Sequence, residues 1–162
     1  MDESWTGLAL VQPTRRRQWE LRRGEETVAE LRLPAVRAGG SARVGDRELM
    51  IRARGILWRE HTLLDEATGE EIALVRGRTV ELRGVERAEW RSLGRGAGQG
   101  LVGADGEPWL RGKVSAGAFR TSGQIEVAPG HDIAIPALLA AYLLIRKVEE
   151  AAAASAATVA AT

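Results

Sequence analysis

The chain contains no cysteine and has few of the other residues that usually carry catalysis. Without thiols it has no disulfide, no thiolate metal ligand and no cysteine nucleophile. Its two histidines, His61 and His131, stand far apart in the sequence, whereas triads and metal sites usually combine histidine with cysteine or clustered carboxylates. The sequence therefore predicts a protein that is not an enzyme and has no catalytic residue, metal site or cofactor. Asp65 with Glu86 or Glu89 stays open as an acid–base pair, because such catalysis needs only two well-placed carboxylates.

Each histidine also has a structural interpretation. His131 and Asp132 would be a fragment of a metal site, but no further ligands stand at a suitable spacing. We therefore interpret Asp132 as the N-cap of a following helix and His131 as its neighbour. His61 lies among strand residues and is most simply a polar position on a strand.

Lysine is scarce, since Lys113 and Lys147 are the only lysines among 23 basic residues. A coding bias toward arginine explains this more simply than function does, although arginine is also the better bidentate partner for phosphate and carboxylate. The formal net charge of +1 makes nucleic-acid binding over the whole surface unlikely. The N-terminus lacks the basic and apolar regions of a signal peptide, so we expect a cytoplasmic protein.

One apolar run, residues 133–145, interrupts the otherwise charged sequence. As a helix its 13 residues would reach only about 20 Å, which is too short for a bilayer core of about 30 Å, so no transmembrane span is expected. A helix that is apolar on every side must be surrounded on every side. We predict a central helix over about residues 132–149 with Pro136 in its first turn. The alanine-rich tail, residues 151–162, either extends this helix or frays.

The rest of the chain alternates between apolar and polar residues and is punctuated by turn residues every eight to twelve positions, which is typical of antiparallel strands. The predicted strands are residues 6–11, 18–23, 28–33, 48–54, 58–64, 71–76, 79–83, 88–93, 100–103, 108–114, 117–121 and 124–127. Closure of these strands around the apolar helix would remove exposed edges. We predict one mainly β domain, residues 1–150: a closed antiparallel barrel of about twelve strands that encloses the C-terminal helix.

The turn at residues 65–71 reads DEATGEE. Together with the succession of short strands and the final apolar helix, this DxxTGEE-like turn resembles the Tubby C-terminal-like superfamily, which includes the LURP-one-related proteins and the phospholipid scramblases. The resemblance covers roughly residues 18–149. It implies a barrel of about twelve strands around a C-terminal helix. It also implies binding of phosphoinositide head groups, as in Tubby domains, or action at membranes, as in scramblases; many LURP-one-related members have no assigned activity.

The glycine-rich stretch at residues 94–100, GRGAGQG, admits two interpretations. Its backbone amides would suit an anion, but it has neither the Walker nor the dinucleotide spacing. A flexible loop between strands is favoured.

Two groups of residues are candidates for binding anions. Arg15, Arg16 and Arg17 form the densest basic segment, which either contacts an anionic lipid surface or is a solvated face that nearby glutamates neutralise. Trp109, Arg111 and Lys113 alternate along one strand and so share a face. That face suits an interface, a lipid head group or a stacked base, unless Trp109 packs at the rim of the barrel.

These observations predict a non-catalytic intracellular module that binds anionic phospholipid or phosphoinositide head groups. The alternative is a protein-interaction or structural module. A lipid-binding module would be cytoplasmic and peripheral at the membrane. The oligomeric state does not follow from the sequence.

Overall fold

The computed structural model describes residues 4–14, 16–35, 38–55, 59–84, 87–117 and 120–161. Within these ranges the chain forms twelve strands and one helix. The strands are β1 (Thr6–Val11), β2 (Gln18–Arg23), β3 (Glu26–Arg32), β4 (Gly40–Val44), β5 (Arg47–Arg54), β6 (Glu60–Asp65), β7 (Glu71–Arg76), β8 (Thr79–Leu82), β9 (Ala88–Ser92), β10 (Gln99–Val102), β11 (Pro108–Ala116) and β12 (Thr121–Val127). The helix is α1 (Ala134–Ala160).

Each strand pairs antiparallel with the next, and β12 pairs with β1, so the sheet is a closed barrel. Alternate connections therefore lie at opposite ends. The upper end, where α1 begins, carries residues 24–25, 45–46, 66–70, 83–87, 103–107 and 128–133. The lower end, where α1 leaves, carries residues 12–17, 33–39, 55–59, 77–78, 93–98 and 117–120.

The first half of α1 fills the barrel. Residues 135–142, 144 and 145 are buried, and at 3.6 residues per turn they point in every direction around the helix axis. Alternate strand residues such as Leu49 and Ile51 are also buried, whereas Glu48 and Arg52, which flank them, are exposed. The predicted fold, a closed antiparallel barrel around an apolar helix, is confirmed.

Two strand predictions were wrong. Strand β4 was missed, because glycines precede and follow a segment of only five residues. The predicted separate strand 117–121 is absent from its described residues: Ala116 at the end of β11 pairs with Thr121 at the start of β12, and the amide of Gly117 donates to the carbonyl of Arg120 over 2.7 Å. Residues 118 and 119 lie outside the described residues. Strands β11 and β12 therefore pair as one long hairpin, and the two errors cancel in the strand count.

The predicted limits of the helix also need correction. The N-cap is Ile133 and not Asp132, and no side chain caps the helix. The carbonyl of Ile133 accepts the first helical hydrogen bond, from Ala137 at 3.2 Å, so Asp132 lies one residue too early to cap. Pro136 does lie in the first turn, and the helix extends through the alanine-rich tail to Ala160.

His61 is not a plain polar strand position, since only 7% of it is exposed. Its Nδ1 lies 2.8 Å from the hydroxyl of Tyr142 on the helix. The same hydroxyl accepts a 3.1 Å hydrogen bond from the amide of Gly39, and burial raises the pKa of Tyr142. This buried polar contact fixes the rotation of the helix against β6 and the β3–β4 connection, because an unpaired hydroxyl there would be costly.

The DEATGEE turn is specified by Asp65, which ends β6. Its Oδ1 accepts hydrogen bonds from the amides of Ala67 at 3.0 Å and Thr68 at 3.2 Å, and Arg47 donates to Oδ2 at 3.2 Å. The pKa of Asp65 is lowered, first by the amide of Thr68 and further by Arg47 and Ala67, against the opposing effect of burial. This carboxylate, named above as one member of a possible catalytic pair, therefore stabilises a turn.

We expect Asp65→Asn to lower the melting temperature at neutral pH. A carboxyl group whose pKa is depressed in the folded state stabilises the fold above its unfolded pKa of about 3.9, and this contribution disappears as the pH falls through the folded-state value. The difference between wild type and variant should therefore shrink below about pH 4. Thermal unfolding followed by circular dichroism across this range measures it. The control is Glu66→Gln, an exposed residue of the same turn; an equal effect there would contradict the role of Asp65.

Leu139→Asp should prevent folding, because Leu139 is 2% exposed inside the barrel and an unpaired buried charge costs at least several kcal/mol. Urea unfolding of the purified variants measures the loss. Ala154→Asp introduces the same charge on the exposed part of the same helix and should be tolerated. A cooperatively folded Leu139→Asp protein would contradict the enclosed helix.

Candidate functional site

Charges separate between the two ends of the barrel. Every charged residue in the six lower connections is an arginine, and these connections contain no aspartate or glutamate. The residues are Arg15, Arg16, Arg17, Arg37, Arg59, Arg78, Arg95 and Arg120. Arg15, a predicted site residue, lies outside the described residues, as does Arg37.

The upper connections have the opposite character. Their only basic side chains apart from His131 are Arg83 and Arg87. Their acidic residues are Glu25, Asp46, Glu66, Glu70, Glu86, Asp105, Glu107 and Asp132. The net charge of +1 therefore conceals a barrel with one basic and one acidic end.

Ion pairs occur at both ends, and near the lower end they join Arg17 to Glu149, Arg76 to Glu60 and Arg146 to Glu150. Arginines on and near the upper end are paired with carboxylates: Arg22, Arg23, Arg43, Arg47, Arg83, Arg87 and Arg111. We call Arg16, Arg59, Arg78, Arg95 and Arg120 the lower arginines. All five are exposed, and none has a carboxylate of the described residues within ion-pair distance. Their charge is therefore not neutralised locally.

Arg17 differs from its neighbour Arg16. Its guanidinium donates to the carbonyl of Leu33 at 3.0 Å and pairs with Glu149 at 2.7 Å. It thus joins the β1–β2 connection to the helix where the helix leaves the barrel. Of the predicted basic segment, Arg16 is available for a ligand and Arg17 has a structural role. The sequence predicted that nearby glutamates neutralise the charge of the basic segment. Such an ion pair forms in the β2–β3 hairpin, where Arg23 lies 3.2 Å from Glu26.

The structure splits the predicted group of Trp109, Arg111 and Lys113. Trp109 is only 7% exposed, because its ring stacks on His131 with 4.7 Å between centroids. Arg111 pairs with Glu126 at 2.6 Å and its guanidinium lies 4.5 Å from the centre of the Trp5 ring. Lys113 is exposed and has no ion pair with the described residues. Only Lys113 therefore presents a free cation, and Trp109 packs at the upper rim.

A depression of about 770 Å³ lies on the outer face of β3, β4 and β5 near the lower end. Arg32 borders it from β3, and Arg52 and Arg54 border it from β5, while none of the described residues that line it is acidic. The small residues Gly40 and Ser41 of the strand between them leave the space. Sequence reasoning missed these arginines; the signal was the i, i+2 spacing of Arg52 and Arg54, which places both on the outer face.

A larger cleft of about 1010 Å³ lies where the helix leaves the barrel. The glycine-rich stretch forms one wall as the β9–β10 connection, and Lys113 and Lys147 line the cleft from β11 and α1. The connection is closed by hydrogen bonds from Leu93 to Gly98 at 3.0 Å and from Ala97 to Gly94 at 3.2 Å. The prediction that it joins two strands is confirmed, and its position beside both lysines was not foreseen.

Among the described residues, no three histidine, cysteine, aspartate or glutamate side chains are grouped so as to hold a metal ion. No helix in the same ranges has the length and apolar character needed to cross a membrane. No protein-family model matches the chain, and no curated protein or solved structure matches it either. The resemblance to the Tubby C-terminal-like superfamily therefore stays a prediction.

Proposed function

We propose that this protein is a non-catalytic intracellular module that attaches to anionic phospholipid surfaces through the lower end of its barrel. The observation that carries the proposal is the arginine-only charge of the six lower connections. The lower arginines extend into solvent and have no carboxylate partners among the described residues. They are therefore available to lipid phosphates, with which arginine forms bidentate hydrogen bonds.

The distribution of these arginines favours a flat ligand. Arg16, Arg59, Arg78, Arg95 and Arg120 belong to five different connections around the barrel axis. A planar surface would meet all of them at once, whereas a rod such as a nucleic-acid duplex would meet only some. Each basic residue close to an anionic membrane contributes about 1 kcal/mol, so the lower arginines together would suffice for peripheral attachment.

The end of the helix also favours lipid over nucleic acid. Residues 151–160 extend from the lower end, are exposed and bear no charge. A charged extension would have to be desolvated when the arginines approach head groups, but this one consists of alanine, serine, threonine and valine. The membrane interface tolerates such a segment more easily than the phosphate groove of a duplex does.

The cavities near the lower end support a binding role without catalysis. Within the described ranges, no aspartate, glutamate or histidine lines the depression around Arg32, Arg52 and Arg54 or the cleft beside the helix. General acid–base catalysis relies mostly on such groups. Both cavities offer cations, hydroxyl groups and apolar walls instead, which are the features that bind an anion and leave it unchanged.

We expect the protein to co-sediment with vesicles that contain phosphatidylserine or phosphoinositide, and not with neutral phosphatidylcholine vesicles. Binding should decrease from low to moderate salt, because exposed charges are screened beyond a Debye length of about 8–10 Å. Arg59→Gln with Arg78→Gln should weaken binding by about 30-fold, since two contacts of about 1 kcal/mol each are lost.

The matched control is Arg43→Gln with Arg87→Gln, which removes the same charge from the upper end. It should leave vesicle binding unchanged if the lower arginines make the contact. A general effect of net charge would instead weaken vesicle binding equally in both double variants. Equal sedimentation with neutral and anionic vesicles at low salt would remove the lipid proposal and leave protein interaction as the alternative. Binding that survives in the Arg59 and Arg78 variant but is lost in the control would place the contact at the upper end.

A further inference from the structure

We infer that the cleft beside the helix exit binds one single-chain anionic amphiphile, such as a fatty-acid or alkyl phosphate anion. The anionic head would lie between Lys113 and Lys147, and the chain would lie against the apolar wall of the cleft. This inference deepens the proposed function and rests on it for the source of the ligand, because the cleft opens at the lower end where lipids would be met.

The charges of the cleft select an anion. Lys113 and Lys147 are the only lysines of the chain, yet they come from a strand and from the helix and line the same cavity. Both are exposed and neither has an ion pair with the described residues. Among the residues that the structure describes, no aspartate or glutamate lines the cleft. A carboxylate or phosphate head would therefore meet two ammonium groups and no opposing charge.

Neutral donors surround the two lysines. Three serines and two glutamines line the cleft, and each can donate to an oxyanion. They are Ser92, Ser115, Ser122, Gln99 and Gln124. None of the described residues that line the cleft is aromatic, so these residues offer no ring on which a nucleotide base could stack. The lining favours an anionic head that carries no ring.

The remaining wall is apolar. Leu10 is 1% exposed and Leu144 is 4% exposed at the edge of the barrel core, and Val114 and Val148 continue the lining. The cleft measures about 1010 Å³, at the upper end of the range of about 300–1,000 Å³ for small-molecule sites. It can therefore hold an extended hydrocarbon chain in addition to the head group.

Glycines shape the cleft. A Cβ atom at Gly112 would lie 2.8 Å from Cδ1 of Leu144, and one at Gly98 would clash first with the carbonyl oxygen of Gly112 and would lie 2.7 Å from Cγ of Lys113. Contacts this short do not occur between carbon atoms, so larger residues would displace the helix or the stem of the lysine. The glycines thus let Leu144 form the wall and let Lys113 reach past the β9–β10 connection.

The scarcity of lysine allows a direct test. Reductive dimethylation followed by peptide mass spectrometry reports the modification rates of Lys113 and Lys147 individually. Dodecyl phosphate, at a concentration below that at which it forms micelles, should slow the labelling of both lysines severalfold. Inorganic phosphate, which has no chain, and dodecyl maltoside, which has no charge, should have little effect at the same concentration. Equal protection by either of these would overturn the inference.

Titration calorimetry with dodecyl phosphate gives the affinity. Lys113→Gln with Lys147→Gln should weaken binding by about tenfold or more, equivalent to about 1.4 kcal/mol. Arg43→Gln with Arg87→Gln removes the same net charge at the upper end and should bind like wild type. Both lysines are exposed, so the substitutions should not disturb folding. An unchanged affinity in the lysine variant would overturn the inference.

These measurements contain no vesicles, so their outcome is independent of the sedimentation assay. If the protein does not bind vesicles but still binds dodecyl phosphate, the proposed surface attachment is wrong and the proposed ligand of the cleft stands. If the protein binds vesicles but dodecyl phosphate does not protect the two lysines from labelling, the proposed ligand of the cleft is wrong and the surface attachment stands.

Discussion

The enclosure of one apolar helix is the constraint on which the rest of this structure depends. Residues 135–142 of α1 are buried around the whole circumference of the helix, and only a closed sheet can supply partners in every direction. The side chains of the helix occupy the lumen, so the described part of the barrel leaves no interior channel for a large ligand. Any ligand would therefore be met on the outer face, at the two ends, or in the gap where the helix leaves the barrel.

The charge separation follows from the same topology. In a closed barrel of antiparallel neighbours, consecutive connections alternate between the ends, so a chain that places arginine in every second connection builds one basic end. Coding bias explains why the cations are arginines, but it does not explain their positions. With 23 basic and 22 acidic residues in the chain, a random distribution would seldom leave all six lower connections without an acidic residue. Such a separation orients the whole molecule in the field of a charged surface.

Local rules predicted most of the fold. Turn residues separate the predicted strands, and three of them, Gly24, Gly45 and Gly77, have the positive φ that glycine adopts readily. Strands β1, β2 and β7 have their predicted limits. The candidate site was predicted less well, because its neighbours are distant in sequence. Alternation predicted that Trp109 shares a face with Arg111 and Lys113, yet Trp109 is buried and stacks on His131, from the connection before the helix. The lower arginines could have been recognised by sorting the connections into alternate sets before counting charges.

The two lysines are rare in the sequence, and only the fold shows that they lie close to the same cleft. As isolated positions, Lys113 and Lys147 are exceptions in an arginine-rich chain. The barrel brings them to one cleft, beside a glycine-rich connection and away from any lining carboxylate. An ammonium group on a flexible stem adapts to a single carboxylate or phosphate, whereas a guanidinium favours planar, bidentate contacts. Arginine around the rim and lysine in the cleft would therefore suit the two proposed tasks: contact with many head groups, and retention of one.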